Sequence, residues 1–190
     1  MNETVVLERD DLRRTLRRIA HEIAEKNPDP AALAIVGIHT RGALLARRLH
    51  VSLAELTGAE VPIGDIDISF YRDDVGAKSP ATQPVVHASH IDFDLAGRTV
   101  VLVDDVLFTG RTARAAIDAL FDYGRPQRVQ LAVLCDRGHR ELPIRPDYVG
   151  KNMPTAHEER VYVRLEETDE LDEVTIEPAT APVAGSGGTR

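Results

Sequence analysis

Two adjacent carboxylates, Asp104 and Asp105, stand directly behind the apolar run Val100 to Val103, and Thr109-Gly110-Arg111-Thr112 follows at the head of an Ala-rich segment. Neighbouring carboxylates can accept hydrogen bonds from vicinal hydroxyls or concentrate charge around a divalent cation. A Thr-Gly-Arg-Thr turn that opens a helix offers a phosphate monoester backbone N–H groups, two hydroxyls and the positive end of a dipole. Acids for a sugar diol and a nest for a phosphate, a few residues apart, match the two ends of a ribose 5-phosphate. Each half also has a plainer reading. An Asp-Asp pair ends ordinary solvated strands or holds magnesium as in receiver domains, and Thr-Gly-x-Thr recurs by chance. Their succession after a buried strand is the stronger signal. The alternative phosphate device, Gly-x-x-x-x-Gly-Lys-Ser/Thr, is absent from the chain.

Such groups need a frame that delivers them to one place. Residues 10–26 predict an amphipathic helix with Asp10 as N-cap, Asp11 at the positive end of the dipole, and Leu12, Leu16, Ile19, Ala20 and Ile23 on one stripe. At about 100° per residue, Arg14, Arg17, Arg18 and His21 share the opposite stripe. Pro28 and Pro30 end this helix, and 33–38 reads as a strand buried on both faces. A helix over 43–56 closed by Gly58 and an extended segment over 61–70 follow. The stretch 71–84, with Arg72, Asp73, Asp74, Gly76 and two prolines, predicts a mobile loop long enough to act as a lid. A buried strand over 98–103 runs into the two acids, an Ala-rich helix ends near Tyr123-Gly124, and 128–134 gives another strand. Alternation of strand and helix at these spacings predicts an α/β fold with a mostly parallel sheet, whose ligands bind where loops diverge at the strands' carboxyl ends.

The whole chain, 190 residues with 43% apolar and 28% charged side chains, suits one soluble domain over 1–177 followed by a Pro- and Gly-rich tail over 178–190. No apolar run approaches the ~20 residues of a membrane span. The start Met1-Asn2-Glu3-Thr4 lacks a basic region leading into an apolar one, and a lone Cys135 can form neither an internal disulfide nor a zinc site. A reducing, cytoplasmic location is therefore expected. The formal charge of −8 is uneven: residues 158–190 hold 3 basic and 9 acidic side chains, which leaves the larger part near balance. A basic face for phosphate contact is thus possible locally.

The run VVLVDDVLFTGRT, Val100 to Thr112, resembles the phosphoribosyl-pyrophosphate (PRPP) signature of type I phosphoribosyltransferases. Gly37 to Gly42, Asp67 to Asp74 and the long block from Gly124 to Thr155 resemble one branch of that family. Its members are uracil phosphoribosyltransferases and also RNA-binding regulators of pyrimidine genes. The likeness spans residues 4–177 and implies the type I fold, with a central sheet, flanking helices, a small hood and a lid loop. It implies that Asp104 and Asp105 hold the ribose hydroxyls, and that Val106, Leu107, Phe108, Thr109, Gly110, Arg111 and Thr112 wrap the nucleotide, with Thr109 to Thr112 on the 5′-phosphate. Thr40 and Arg41 would hold pyrophosphate, and Arg72 would close over the same leaving group. Arg137 and Val161 would line the pocket near the base. Arg41, Arg72, Asp104 and Asp105 would carry catalysis, and magnesium would arrive with PRPP rather than on ligands of the chain's own. Phe108 stands where purine-salvage relatives carry an acid, so a purine substrate is not expected.

The same resemblance implies partners: PRPP, uracil and UMP, a hairpin in the leader of pyrimidine-operon messenger RNA, and a second copy of the chain in a dimer or higher oligomer. RNA contacts would come from Arg17, Arg18 and His21 on the first helix and from His139, Arg140, Arg145 and Lys151. In both groups the cations are expected to lack an acidic partner at helix spacing, although a solvated charged face is the alternative. A regulator that keeps the PRPP site only as a nucleotide sensor is the second reading of function. Cys135 is expected to be a small buried hydrophobe, and His39 occupies a variable slot of the Thr-Arg-Gly turn.

Overall fold

Val100 and Leu102 point to one side of a strand while Val101 and Val103 point to the other, so this segment needs cover on both faces. A computed structural model of the chain, which describes residues 3–71 and 88–178, provides it. In chain order the elements are β1 (Thr4–Glu8), α1 (Arg9–Lys26), β2 (Leu33–Ile38), α2 (Arg41–Thr57), β3 (Ile63–Ile66), β4 (Thr99–Leu107), α3 (Arg111–Tyr123), β5 (Arg128–Asp136), β6 (Tyr148–Asn152), β7 (Arg160–Arg164), α4 (Glu166–Asp169) and β8 (Glu173–Glu177). The main sheet has the order β3-β2-β4-β5-β6, and every pairing in it is parallel. On one face Leu12, Leu16, Ile19 and Ile23 of α1 and Leu45, Leu49 and Leu53 of α2 pack with Ile35, Val101 and Val103. On the other, Ala113, Ala116, Ala119 and Leu120 of α3 pack with Val36, Val100 and Leu102. A small antiparallel sheet, β1-β8-β7, with α4 beside it forms the hood.

The predicted architecture is present, with shifted ends. Helix α1 begins at Arg9 because β1, a strand the sequence does not signal, feeds it directly; Glu8 takes the cap position expected for Asp10, and Asp11 reaches back to accept the Glu8 N–H at 3.3 Å. Helix α2 begins two residues earlier than expected, at Arg41. The extended segment expected over 61–70 is a strand only over 63–66, since the Asp67 carboxylate caps the next turn by accepting from the Ser69 N–H and hydroxyl at 2.7 and 2.5 Å. Strand β4 continues past Val103 to Leu107, so the two acids lie within its last residues rather than after it. Beyond Tyr71, the loop predicted over 71–84, Arg72 included, lies outside the described residues, as does the predicted tail beyond Pro178.

Candidate active site

Asp104 sits opposite Val133 of β5 and is 7% exposed. Its Oδ1 accepts the Asp105 N–H at 2.9 Å, and Asp105 Oδ1 accepts the Val106 N–H at 2.8 Å. These bonds fix both carboxyl groups at the carboxyl end of the central strand. Gly110 follows at φ 93°, a left-handed conformation that a side chain would strain, and it turns the chain into α3. Thr109 Oγ1 accepts the Arg111 N–H at 3.3 Å, while its carbonyl accepts the N–H groups of Glu141 and Leu142 at 3.0 and 3.1 Å. Arg111 Nε also donates to Glu141 at 2.7 Å. The loop over 138–145 is therefore bound to the turn that Thr109 to Thr112 build.

A second loop arrives from β2. A Cβ on Gly42 would lie 2.4 Å from the Val103 carbonyl oxygen and 3.1 Å from Asp104 Cα, so only glycine lets this turn rest against the central strand. That contact seats the turn that carries Thr40 and Arg41 against the strand that bears the acids. The His39–Thr40 peptide is cis. Thr40 is exposed at the start of α2, and the Arg41 guanidinium donates to both carboxylate oxygens of Asp169 in the hood, at 3.0 and 3.2 Å. Arg41 Nε is buried with no partner among the described residues. Two turns further on, Arg48 clamps Glu167 and Asp172, with bonds from 2.5 to 3.0 Å. Hydrogen bonding to Arg48 lowers the Glu167 pKa, and for Asp172 burial, which would raise it, is outweighed by Arg48 together with the Glu166 N–H and the charge of Arg9. Asp169 is lowered first by the Leu165 N–H it accepts.

The third wall is aromatic. Arg137, 7% exposed, donates its N–H to Leu107 and spreads its guanidinium over Thr155 Oγ1 and the carbonyls of Ala156 and His157. The same guanidinium lies 4.2 Å from the centre of the Phe108 ring. Burial pulls the Arg137 pKa below its ordinary value, opposed by Glu159. His139 and His157 complete the group, with ring centres 5.3 to 5.9 Å from one another and from Phe108. A cleft of about 520 Å³ opens beside Arg137, His139 and Met153. Val161 lies half-buried in β7, the outer strand of the hood sheet, which touches β4. His157, Asp169 and Glu141 carry no sequence signal: they are single polar residues outside any motif, and only the fold brings them here.

The residues predicted to meet RNA divide. Arg17, Arg18 and His21 are all exposed on α1. Arg18 donates to the Val149 and Gly150 carbonyls at 3.0 and 2.6 Å, which docks this helix on β6 close to exposed Lys151. Lys151 Nζ in turn donates to the Val6 carbonyl at 3.3 Å. Arg145 is exposed on its loop. His139 belongs to the ring group, its Nε2 2.7 Å from the Thr155 carbonyl oxygen. Arg140 is turned inward, donating to Phe108 O, Gly138 O, Ile144 O and Asp136 Oδ2. The expectation that these cations lack acidic partners is corrected: Arg18 pairs with Glu22 and Arg140 with Asp136, each four residues apart and at 2.5 Å.

Among the described residues no three His, Cys, Asp or Glu side chains gather as a metal cage. One or two carboxylates suffice for a magnesium ion that keeps its waters and is held also by phosphate oxygens, and Asp104 and Asp105 fit that need. Cys135 is buried, and burial pushes its thiol up to about 12, so it stays an unreactive core group. No helix among the described residues is long and apolar enough to cross a membrane.

Comparison with known proteins agrees with this geometry. Residues 7–166 match the family model described as phosphoribosyl transferase domain. A protein of Roseiflexus sp. named Bifunctional protein PyrR is 59% identical over 95% of this chain and 98% of its own. Its namesake in Deinococcus radiodurans is 58% identical over 92% and 94%, and that of Halalkalibacterium halodurans 51% over 93% and 98%. Among solved structures, a hypoxanthine phosphoribosyltransferase of Trypanosoma cruzi aligns with a TM-score of 0.69 over 92% of this chain and 95% of its own, at 20% identity. That of Staphylococcus aureus gives 0.68 over 90% and 89%, at 19% identity. Likeness at that identity concerns the fold alone. With twin acids at the end of the central strand, the Thr-Gly-Arg-Thr turn after them and a glycine-seated turn against them, and with such relatives along nearly all its length, the chain belongs to the phosphoribosyl transferase family, in the branch of the PyrR proteins.

Proposed function

We propose that the chain is a uracil phosphoribosyltransferase, converting uracil and PRPP to UMP and pyrophosphate, and that it also binds the leader hairpin of pyrimidine-gene messenger RNA in response to UMP in the cytoplasm. The observation that carries the substrate assignment is Phe108. Its ring lies 4.2 Å from the Arg137 guanidinium, so the position just before Thr109-Gly110 offers an apolar face rather than an acid to a base, which favours a pyrimidine over a purine.

In this reading Asp104 and Asp105 accept from the ribose 2′ and 3′ hydroxyls, and the turn Thr109 to Thr112 grips the 5′-phosphate. The sugar is then held while N1 of uracil bonds to C1′ and the bond from C1′ to pyrophosphate breaks; the N1 proton leaves to solvent. Holding the partners in line supplies much of the acceleration, because the transition state resembles an oxocarbenium ion. Thr40 and Arg41, with Arg72, receive the charge that develops on the departing pyrophosphate. Magnesium bound with PRPP would neutralise more of that charge. Arg41 must exchange Asp169 for pyrophosphate oxygens as PRPP enters. For the RNA, exposed Arg17, Arg18 and His21 on α1, with Lys151 on the strand to which Arg18 docks that helix, would offer one set of contacts, and Arg145 a second.

The test is to incubate the protein with uracil, PRPP and magnesium. UMP should form. Absence of UMP in a protein that still binds UMP would overturn the transferase and leave a regulator that only senses the nucleotide. Such a sensor would have no use for Thr40 and Arg41 beside the acids.

A further inference from the structure

Between the pyrophosphate turn and the sheet edge lies a contact that the reaction has not yet used. His39 follows β2 and immediately precedes Thr40 and Arg41. Its Nε2 is 2.5 Å from Asp65 Oδ1, and both side chains are only 16% exposed. His90 Nδ1 meets the same oxygen at 3.2 Å. One carboxylate oxygen thus meets a ring nitrogen of each imidazole. Asp65 is itself held on several sides. It lies beside Gly37 in the parallel register of β2 and β3, and its backbone exchanges two hydrogen bonds with His90, at 3.0 and 2.9 Å. The His39 N–H adds a bond to the Ile66 carbonyl at 3.0 Å. A carboxylate fixed on a sheet edge thus restrains the imidazole of the residue from which the turn springs.

Resting on the transferase reading, we propose that Asp65 is a positioning residue: through His39 it holds the turn that presents Thr40 and Arg41 to the pyrophosphate of PRPP. UMP engages the acids and the cradle but carries no pyrophosphate. Loss of the Asp65 contact therefore acts on pyrophosphate-bearing ligands and spares UMP.

The experiment compares wild type with Asp65→Asn, His39→Ala and the double variant, measuring KM for PRPP, kcat, and direct binding of inorganic pyrophosphate with magnesium and of UMP. For each single variant the expected result is a KM for PRPP and a pyrophosphate Kd raised about tenfold, the size of one lost charge-assisted hydrogen bond, with UMP affinity unchanged. The double variant should be no worse than His39→Ala alone, because without the imidazole the Asp65 side chain has no hold on the turn. Pyrophosphate binding that stays within twofold of wild type in both single variants overturns the proposal. So does a parallel loss of UMP and pyrophosphate affinity, the mark of general damage to the fold. A wild type that binds pyrophosphate but makes no UMP would sink the transferase reading while the binding comparison still judges Asp65.

Discussion

Asp104 accepts a backbone N–H through one carboxylate oxygen, which fixes how the group presents itself to a ligand. Asp104→Asn keeps the shape but replaces an acceptor by an NH2 group, so a ribose hydroxyl loses a charged partner. We expect kcat/KM for PRPP to fall about 10- to 100-fold, the range of a charge-assisted hydrogen bond, with a thermal midpoint close to wild type. Steady-state kinetics beside a melting curve checks both parts. Arg137→Lys is equally informative. A lysine cannot reach Thr155, Ala156 and His157 together while lying flat on Phe108, so UMP affinity should drop about tenfold by calorimetry. Unchanged affinity would remove Arg137 from the base pocket. At this scale the sequence was legible where chemistry needs a local motif. Twin acids before Thr-Gly-Arg-Thr announce themselves, whereas Asp65, His157 and Asp169 gain their partners only because segments distant in sequence meet.

The strands and helices of the main sheet follow from apolar patterning, because each must bury one stripe or two faces. The hood does not announce itself: β1, β7 and β8 are five residues each, and their pairing joins the two ends of the described chain. What ties this hood to the site is charge. Glu167, Asp169 and Asp172 all have lowered pKa values, held by Arg48, by the Leu165 N–H and Arg41, and by Arg48 against burial, respectively. A carboxylate lowered on folding contributes stability that is present above its unfolded pKa and lost as pH falls through the folded one. The thermal midpoint should therefore decline as pH drops from about 5 toward 3, and Arg48→Met should flatten that decline while lowering the midpoint at neutral pH. An equally steep decline in the variant would show that other carboxylates govern acid unfolding. Gly42 makes the complementary case for packing: Gly42→Ala forces a methyl group against the Val103 carbonyl, so we expect a loss of roughly 2 kcal/mol in denaturant titrations and weakened PRPP binding.

Across the whole molecule the net charge of −8 would repel RNA, yet the acids concentrate toward the C-terminal part and α1 turns its cations outward. Affinity for a folded hairpin then depends on a few phosphate contacts, each of which releases counterions. Arg17 and Arg145 are exposed and make no hydrogen bond or ion pair among the described residues, whereas Arg18 also anchors α1 to β6. The two kinds of cation should behave differently. Arg17→Glu and Arg145→Glu should each weaken leader-hairpin binding about tenfold at moderate salt and reduce the slope of log affinity against log salt by about 1, without changing the rate of UMP formation. Arg18→Ala should cost stability as well as affinity, because two carbonyls of β6 lose their donor. Filter binding over a salt series, with UMP synthesis measured on the same preparations, separates these outcomes. If Arg17→Glu and Arg145→Glu leave both affinity and salt slope unchanged, the RNA surface lies elsewhere on the molecule, and the cationic stripe of α1 is only a solvated face.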